Sequence, residues 1–180
     1  MNAPRLPGDP RPEEAVRRMV RVDHAGEVGA TKIYAGQLAI LGRRPVAETI
    51  RRMAAQERRH REVFDQILVS RRIRPTLLGP VWDAAGYCLG AVTALMGEKA
   101  AMACTVAVEE VIEQHYQQQA KALGDTEPAL RAVIEEFRDE EIEHRDIGQA
   151  SGAEATPGYP VLRAVIRTGS KLAIWLSARF

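Results

Sequence analysis

The sequence predicts an all-α fold, a four-helix bundle, and three observations predict it. Alanine, glutamate, arginine and leucine abound and only 5% of residues are aromatic, a composition that favours helix. A Glu-x-x-His pair occurs twice, at Glu57 with His60 and at Glu141 with His144. Three residues along a helix is nearly one turn, so the two side chains of a pair leave the same face and can hold one metal. Each pair also has a lone glutamate well upstream, Glu27 for the first and Glu109 for the second.

These partners fall level with their pairs. Between Glu27 and Glu57 the chain breaks once, at Leu41-Gly42-Arg43-Arg44-Pro45. With helices on either side, Glu27 stands about 22 Å and Glu57 about 18 Å from the turn, at a rise of about 1.5 Å per residue. Between Glu109 and Glu141 the break is Gly124-Asp125-Thr126-Glu127-Pro128, and the same rise gives about 22 Å and about 20 Å. Two hairpins, each with a lone glutamate facing a Glu-x-x-His, carry the ligand set of di-iron carboxylate bundles. The architecture implied is ferritin-like, with one long crossover between the hairpins.

A chain of 180 residues suits one domain with helices of this length. Residues 1–11 read as a proline-rich, mobile leader, residues 12–150 as the bundle, and residues 151–180 as a loop and an extra C-terminal amphipathic helix of the same domain. Pro12-Glu13-Glu14 starts the first helix with a proline and two acids, which suit a helix N-terminus. That helix runs from Pro12 to Leu41 with Met19, Val22, Val28, Ile33 and Leu38 as apolar positions. Gly26 and Gly29 flank Glu27, and a glycine inside a helix costs about 1 kcal/mol against alanine. Close approach of a neighbouring helix or of a ligand would account for them.

The second helix runs from Pro45 to Ser70, with Glu57 and His60 inside the apolar stripe of Ile50, Met53, Ala54, Phe64 and Leu68. A polar pair aimed into a core must be satisfied, and a metal is one way to do so. Residues 71–83 read as the connection, followed by a long third helix from Val81 to Leu123. Its stretch from Ala84 to Gly97 carries no charge. It is too short to span a bilayer, so it packs tightly inside the bundle, or lines an apolar channel, or touches lipid. Further along, Glu109 follows the apolar run Val106-Ala107-Val108, Glu110 turns outward, and His115 and Tyr116 are candidates for touching substrate or supporting the ligands. The fourth helix starts at Pro128 and presents Leu130, Ile134, Phe137, Glu141 and His144 inward, with a loop over residues 148–158. In the tail, Arg163, Arg167 and Lys171 recur every four residues among apolar positions ending in Trp175 and Phe180. A basic ridge with such a remainder fits a helix lying in a membrane interface.

The net charge of +1 speaks against a general nucleic-acid binder, and the arginine clusters at residues 51–52 and 58–59 read as a solvated helix face. Cys88 and Cys104 form neither a disulfide framework nor a zinc site and read as buried thiols in a reducing compartment. The N-terminus has no secretory signal core and is short and proline-rich for a transit peptide. No Gly-x-Gly-x-x-Gly follows a strand pattern, so no dinucleotide-binding domain is expected.

With these residues in hand, the chain resembles the demethoxyubiquinone monooxygenases of ubiquinone biosynthesis from Arg18 to Phe180. The stretches that carry the resemblance are Arg21-Val22-Asp23-His24-Ala25-Gly26-Glu27, Ile33-Tyr34-Ala35-Gly36-Gln37, Glu109-Glu110-Val111-Ile112 with His115-Tyr116, and residues 139–148 around Glu141 and His144. The family's metal pattern falls on Glu27, Glu57, His60, Glu109, Glu141 and His144, the same six that spacing selects. The resemblance implies two iron ions per chain, O2 as co-substrate, and hydroxylation of a polyprenyl methoxy-benzoquinol, with NADH or the quinol itself as electron source. It also implies a membrane surface and other ubiquinone-biosynthesis proteins as partners. A bacterial member would sit at the cytoplasmic face of the cell membrane, and a processed eukaryotic form at the mitochondrial inner membrane. The rival readings are an iron-storage or peroxide-scavenging protein of the same fold and a metal-free adaptor bundle.

Overall fold

The computed structural model describes residues 11–180, all helix and connections: α1 (Pro12–Leu41), α2 (Ala47–Ser70), α3 (Gly79–Leu95), α4 (Glu98–Leu123), α5 (Pro128–Ala150) and α6 (Tyr159–Ser177). Apart from Arg11, the expected leader lies outside the described residues. Proline occupies the first turn of α1, α3, α5 and α6, where its missing N–H has no helical partner to lose.

Helices α1 and α2 form one hairpin and α4 and α5 the other. Side-chain bonds fix how they face each other. Gln37 reaches the carbonyl of Ala101 and Gln119 reaches Asp23, so α1 and α4 are antiparallel. Arg71 grips Glu127 while Arg59 bonds Glu136, so α2 and α5 are antiparallel. The expected third helix is two helices. Gly97 has φ +118 and ψ 168, a conformation open to glycine and costly for any other residue, and the chain reverses there. The bundle's third member is therefore α4 alone. Residues 79–95, with the expected connection shortened to residues 71–78, make the crossover helix α3, which lies outside the bundle along α1.

Glycines allow that approach. A Cβ on Gly90 would lie 1.9 Å from the Ile33 carbonyl oxygen and one on Gly36 would lie 2.2 Å from that of Tyr87. The uncharged stretch thus packs on α1 through its small residues while Val81, Tyr87, Val92 and Leu95 stay exposed on its other side. Cys88 is exposed there as well, contrary to the expectation of a buried thiol, and Cys104 is buried as expected. Helix α5 continues to Ala150, past Gly148, where a loop was expected.

Helix α6 returns alongside α4 and α1. Its end meets the start of α3, where Trp82 donates to Ser177 at 2.9 Å and the Leu77 amide donates to the Phe180 carbonyl. Two of the three residues of the basic ridge expected to face lipid turn inward instead, while Lys171 stays exposed. Arg163 and Arg167 both bond Glu110 on α4, because a half-buried carboxylate offers them a charged partner. What α6 leaves exposed is the stripe Val161, Val165, Leu172 and Trp175.

Of three buried apolar clusters among the described residues, two fill the ends of the bundle and the third, with Ile33, Val108 and Ile166, joins α1 and α4 to α6. Of the two in the bundle, one, near the α1–α2 turn, packs Tyr34, Ile50, Met53 and Met102. The other packs Phe64, Tyr116, Ile134 and Phe137 toward the opposite end. Burying each such side chain stabilises the fold by about 1.5–3 kcal/mol. The six candidate ligands lie between the two clusters.

Candidate metal centre

Each of the four inner helices contributes to one buried polar layer: Glu27 from α1, Glu57 and His60 from α2, Glu109 from α4, and Glu141 and His144 from α5. Their exposure is 2% or less in every case. Ligand atoms of Glu27, Glu57, His60 and Glu141 lie within 4.8 Å of one another, and so do those of Glu57, Glu109, Glu141 and His144. The two groups share Glu57 and Glu141, one carboxylate from each hairpin. All six candidates from the sequence are brought together, each in a group that could hold a metal ion.

Both histidines point Nδ1 at the carboxylates. His60 Nδ1 lies 3.2 Å from Glu141 Oε1 and 3.5 Å from Glu27 Oε2. His144 Nδ1 lies 3.0 Å from Glu57 Oε1 and 3.1 Å from Glu141 Oε2. Several of these are ion contacts without hydrogen-bond alignment, for Glu27 Oε2, Glu57 Oε1 and His60 Nδ1 are buried and have no hydrogen-bond partner. Buried polar atoms left in this way cost free energy. Oxygen and imidazole donors converging with unused lone pairs fit a cation held at the centre of each group.

The electrostatics are those of crowded acids. Burial, then the charge of Glu141, pushes Glu57 well above its ordinary value, and burial followed by Glu141 and Glu57 does the same to Glu109. Burial pushes Glu141 the same way, but His144 and His60 outweigh it and bring the carboxyl down to about 2. Burial opposes charge on the imidazoles, yet the carboxylates prevail and raise His60 to about 12 and His144 to about 11.

Around the six lies a second set of residues, several of which spacing alone did not select. Tyr34 donates to Glu109 at 3.1 Å, and Tyr116 donates to Glu27. The outward nitrogen of His60 meets Glu140 at 2.8 Å, and that of His144 meets Gln56 at 3.0 Å. The exchange is crosswise, since Gln56 precedes Glu57 on α2 and Glu140 precedes Glu141 on α5. A sequence signal for both exists in their place, four residues before a candidate ligand histidine, on its own face of the helix. Of the two other sequence candidates, Tyr116 touches a candidate ligand, Glu27, directly. His115 does not: it lies 3.2 Å from the buried Asp23 and 2.8 Å from Gln119, and Gln119 in turn bonds Asp23 at 2.7 Å.

A cavity of about 450 Å³ opens beside this layer, between α1, α3, α4 and α6, with Gly26, Gly29, Trp82, Leu89, Ile112 and Ile166 among its walls. Gly26 and Val108, the chain neighbours of Glu27 and Glu109, both line it. A Cβ at Gly29 would meet nothing within 4 Å. Room for a ligand is thus one reason for the glycines beside Glu27. Close approach of α3 constrains Gly86 instead, since a Cβ there would lie 2.7 Å from the Gly29 carbonyl. A hollow of about 590 Å³ at the end of α2, lined by His24, Asp65, Leu68 and Arg72, touches none of the six ligands. Among the described residues no helix is long and apolar enough to cross a membrane.

The family model described as ubiquinone biosynthesis protein COQ7 matches residues 14–177. A protein of Rhodospirillum rubrum named 3-demethoxyubiquinol 3-hydroxylase is 57% identical over 176 residues, 97% of this chain and 83% of that protein. One of Bos taurus, named NADPH-dependent 3-demethoxyubiquinone 3-hydroxylase, mitochondrial, is 52% identical over 92% of this chain and 78% of its own length. The 5-demethoxyubiquinone hydroxylase, mitochondrial, of Saccharomyces cerevisiae is 38% identical over 90% of this chain and 77% of its own length. With a buried carboxylate and histidine layer in an all-α bundle and a family match over nearly the whole chain, this protein belongs to the COQ7 family of ubiquinone biosynthesis proteins.

Proposed function

We propose that the chain is an O2-dependent monooxygenase that hydroxylates a polyprenyl demethoxyubiquinol in ubiquinone biosynthesis, using two iron ions held by Glu27, Glu57, His60, Glu109, Glu141 and His144. The observation that carries it is the pair of buried ligand groups sharing Glu57 and Glu141. In this reading Glu57 and Glu141 would be common to both positions, Glu27 with His60 would complete one and Glu109 with His144 the other. Two divalent cations balance the four carboxylates, which relieves a burial that otherwise costs several kcal/mol per unpaired ion. Ferrous ions held there would supply electrons and open positions for O2 chemistry.

The chain's own residues do the rest. Tyr116 and Tyr34 orient Glu27 and Glu109 by donating to them. The apolar layers above and below exclude water from the reacting centre, and the cavity between α1, α3 and α6 accepts the quinol ring and the start of its tail. The relatives' names support the substrate. The names of several relatives include NADPH, so the electron source in this reading is a reduced nicotinamide nucleotide, NADH or NADPH. The exposed stripes of α3 and α6 rest on a membrane surface, where the quinol resides and where other ubiquinone-biosynthesis proteins would meet it. The location is the cytoplasmic face of a bacterial membrane, or the mitochondrial inner membrane for a eukaryotic form.

The test is product mass with labelled dioxygen. The iron-loaded, reduced protein should add one oxygen atom from O2 to a demethoxyubiquinol. Full iron occupancy without that atom in the product rejects the reading and favours storage or peroxide chemistry.

A further inference from the structure

The two ends of the candidate ligand layer share one plan. Each offers a terminal glutamate that receives a tyrosine hydroxyl, Tyr116 for Glu27 and Tyr34 for Glu109. Each offers a fully buried histidine whose Nδ1 faces the carboxylates. The difference lies behind the histidines. His60 Nε2 faces Glu140 Oε2 at 2.8 Å, and His144 Nε2 faces Gln56 Oε1 at 3.0 Å. Arg59 holds Glu140 in place and is itself bonded to Glu136 at 2.8 Å, while His60 stacks on Phe137 with ring centroids 3.9 Å apart.

A histidine that binds a metal through Nδ1 keeps its proton on Nε2 and must donate it. Donation to a carboxylate raises the electron-donating power of the ring more than donation to a neutral amide does, and such partners are worth about 10–100-fold in metal affinity. We propose that Glu140 and Gln56 make the two metal positions unequal. The position of Glu27 and His60 binds its ion more tightly and fills first; the position of Glu109 and His144 fills last and empties first. Glu140 and Gln56 are positioning residues, acting through the histidines. This inference rests on the two-metal reading above.

Calorimetric titration of the full chain with Mn(II), with bound metal counted independently, tests it. The expected isotherm has two steps per chain separated by tenfold or more. Glu140→Gln keeps an acceptor of the same shape and should weaken the first step by about 10–100-fold while leaving the second within threefold. Gln56→Glu should strengthen the second step and bring the two together. A single common constant for two ions in the unaltered protein overturns the inference. So does equal weakening of both steps in Glu140→Gln, the sign of a general structural role. Fewer than two ions per chain in the unaltered protein overturns the two-metal reading itself, and this inference with it.

Discussion

The hydroxyl of Tyr34 donates to Oε1 of Glu109 at 3.1 Å across the centre of the bundle, from α1 to α4. Tyr34 is 1% exposed, so phenylalanine fills its place and removes only the donor. Tyr34→Phe should therefore keep the helical fold and cost about 1 kcal/mol of stability, the net worth of one buried hydrogen bond. Glu109 loses its orienting partner, and metal bound at that end should decrease before the other end is affected. Metal analysis with a thermal melt checks both. An unchanged metal content at limiting metal would show that Glu109 needs no such support.

The charge balance of the metal-free layer predicts a pH dependence. His60 and His144 are raised to about 12 and about 11 from the ordinary 6.5, and Glu57 and Glu109 are raised above 4.5. Groups whose folded values are raised contribute stability that is fully present below their unfolded values and is lost as pH rises toward the folded ones. Glu141 alone works oppositely, losing its contribution only as pH falls toward about 2. The metal-free chain should thus lose stability as pH rises from about 4.5, where the raised carboxyls begin, through neutrality toward about 11 and about 12, where the histidines finish. Metal replaces the imidazole protons, so its binding strengthens over the same interval. The gap in melting temperature between loaded and metal-free protein should widen with pH. A constant gap between pH 6 and pH 8.5 would contradict the proton displacement.

The convergence of the six candidate ligands is legible because helical periodicity turns sequence spacing into geometry, and because Gly42 and Gly124 mark the turns. The break at Gly97 is not, since Ala84 to Gly97 is uniformly uncharged and a lone glycine interrupts many helices. It takes the φ of +118 to show the reversal. The inward turn of Arg163 and Arg167, expected at a membrane interface, is not legible because their partner, Glu110, lies on another helix. Periodicity reports which residues share a face and not what that face meets.

That correction redirects the membrane expectation. If α6 lies on lipid, it does so through Val161, Val165, Leu172 and Trp175, exposed in one stripe. Val165→Glu with Trp175→Glu should abolish flotation with anionic vesicles without lowering the melting temperature, because neither side chain supports the core. Arg163→Ala with Arg167→Ala should do the reverse. It strands Glu110, whose carboxyl burial would push up but the two guanidiniums hold below its ordinary value, and so loosens α6 from α4. Vesicle flotation beside thermal denaturation separates the two. Equal flotation by both double variants removes the apolar stripe from the account.

The last prediction concerns two glycines that face opposite demands. Gly90 sits where α3 presses on α1, and a Cβ there would lie 1.9 Å from the Ile33 carbonyl oxygen, which is backbone and cannot step aside. Gly90→Ala should force the helices apart and cost more than about 2 kcal/mol, as overpacking does. Gly29 lies on the same α1–α3 seam, yet its Cβ would meet nothing within 4 Å because it points into the cavity. Replacing it removes the helix penalty of glycine, so Gly29→Ala should be neutral or stabilising by up to about 1 kcal/mol. Gly29→Leu should likewise fold, but its side chain occupies part of a space of about 450 Å³ beside Glu27. Metal content should stay at the unaltered level while KM for a demethoxyubiquinol rises about tenfold or more, the equivalent of about 1.4 kcal/mol of lost binding. Steady-state kinetics on Gly29→Leu with metal analysis and a melt decides the matter. Unchanged KM in a folded, fully loaded Gly29→Leu protein would mean that the quinol reaches the centre by another route.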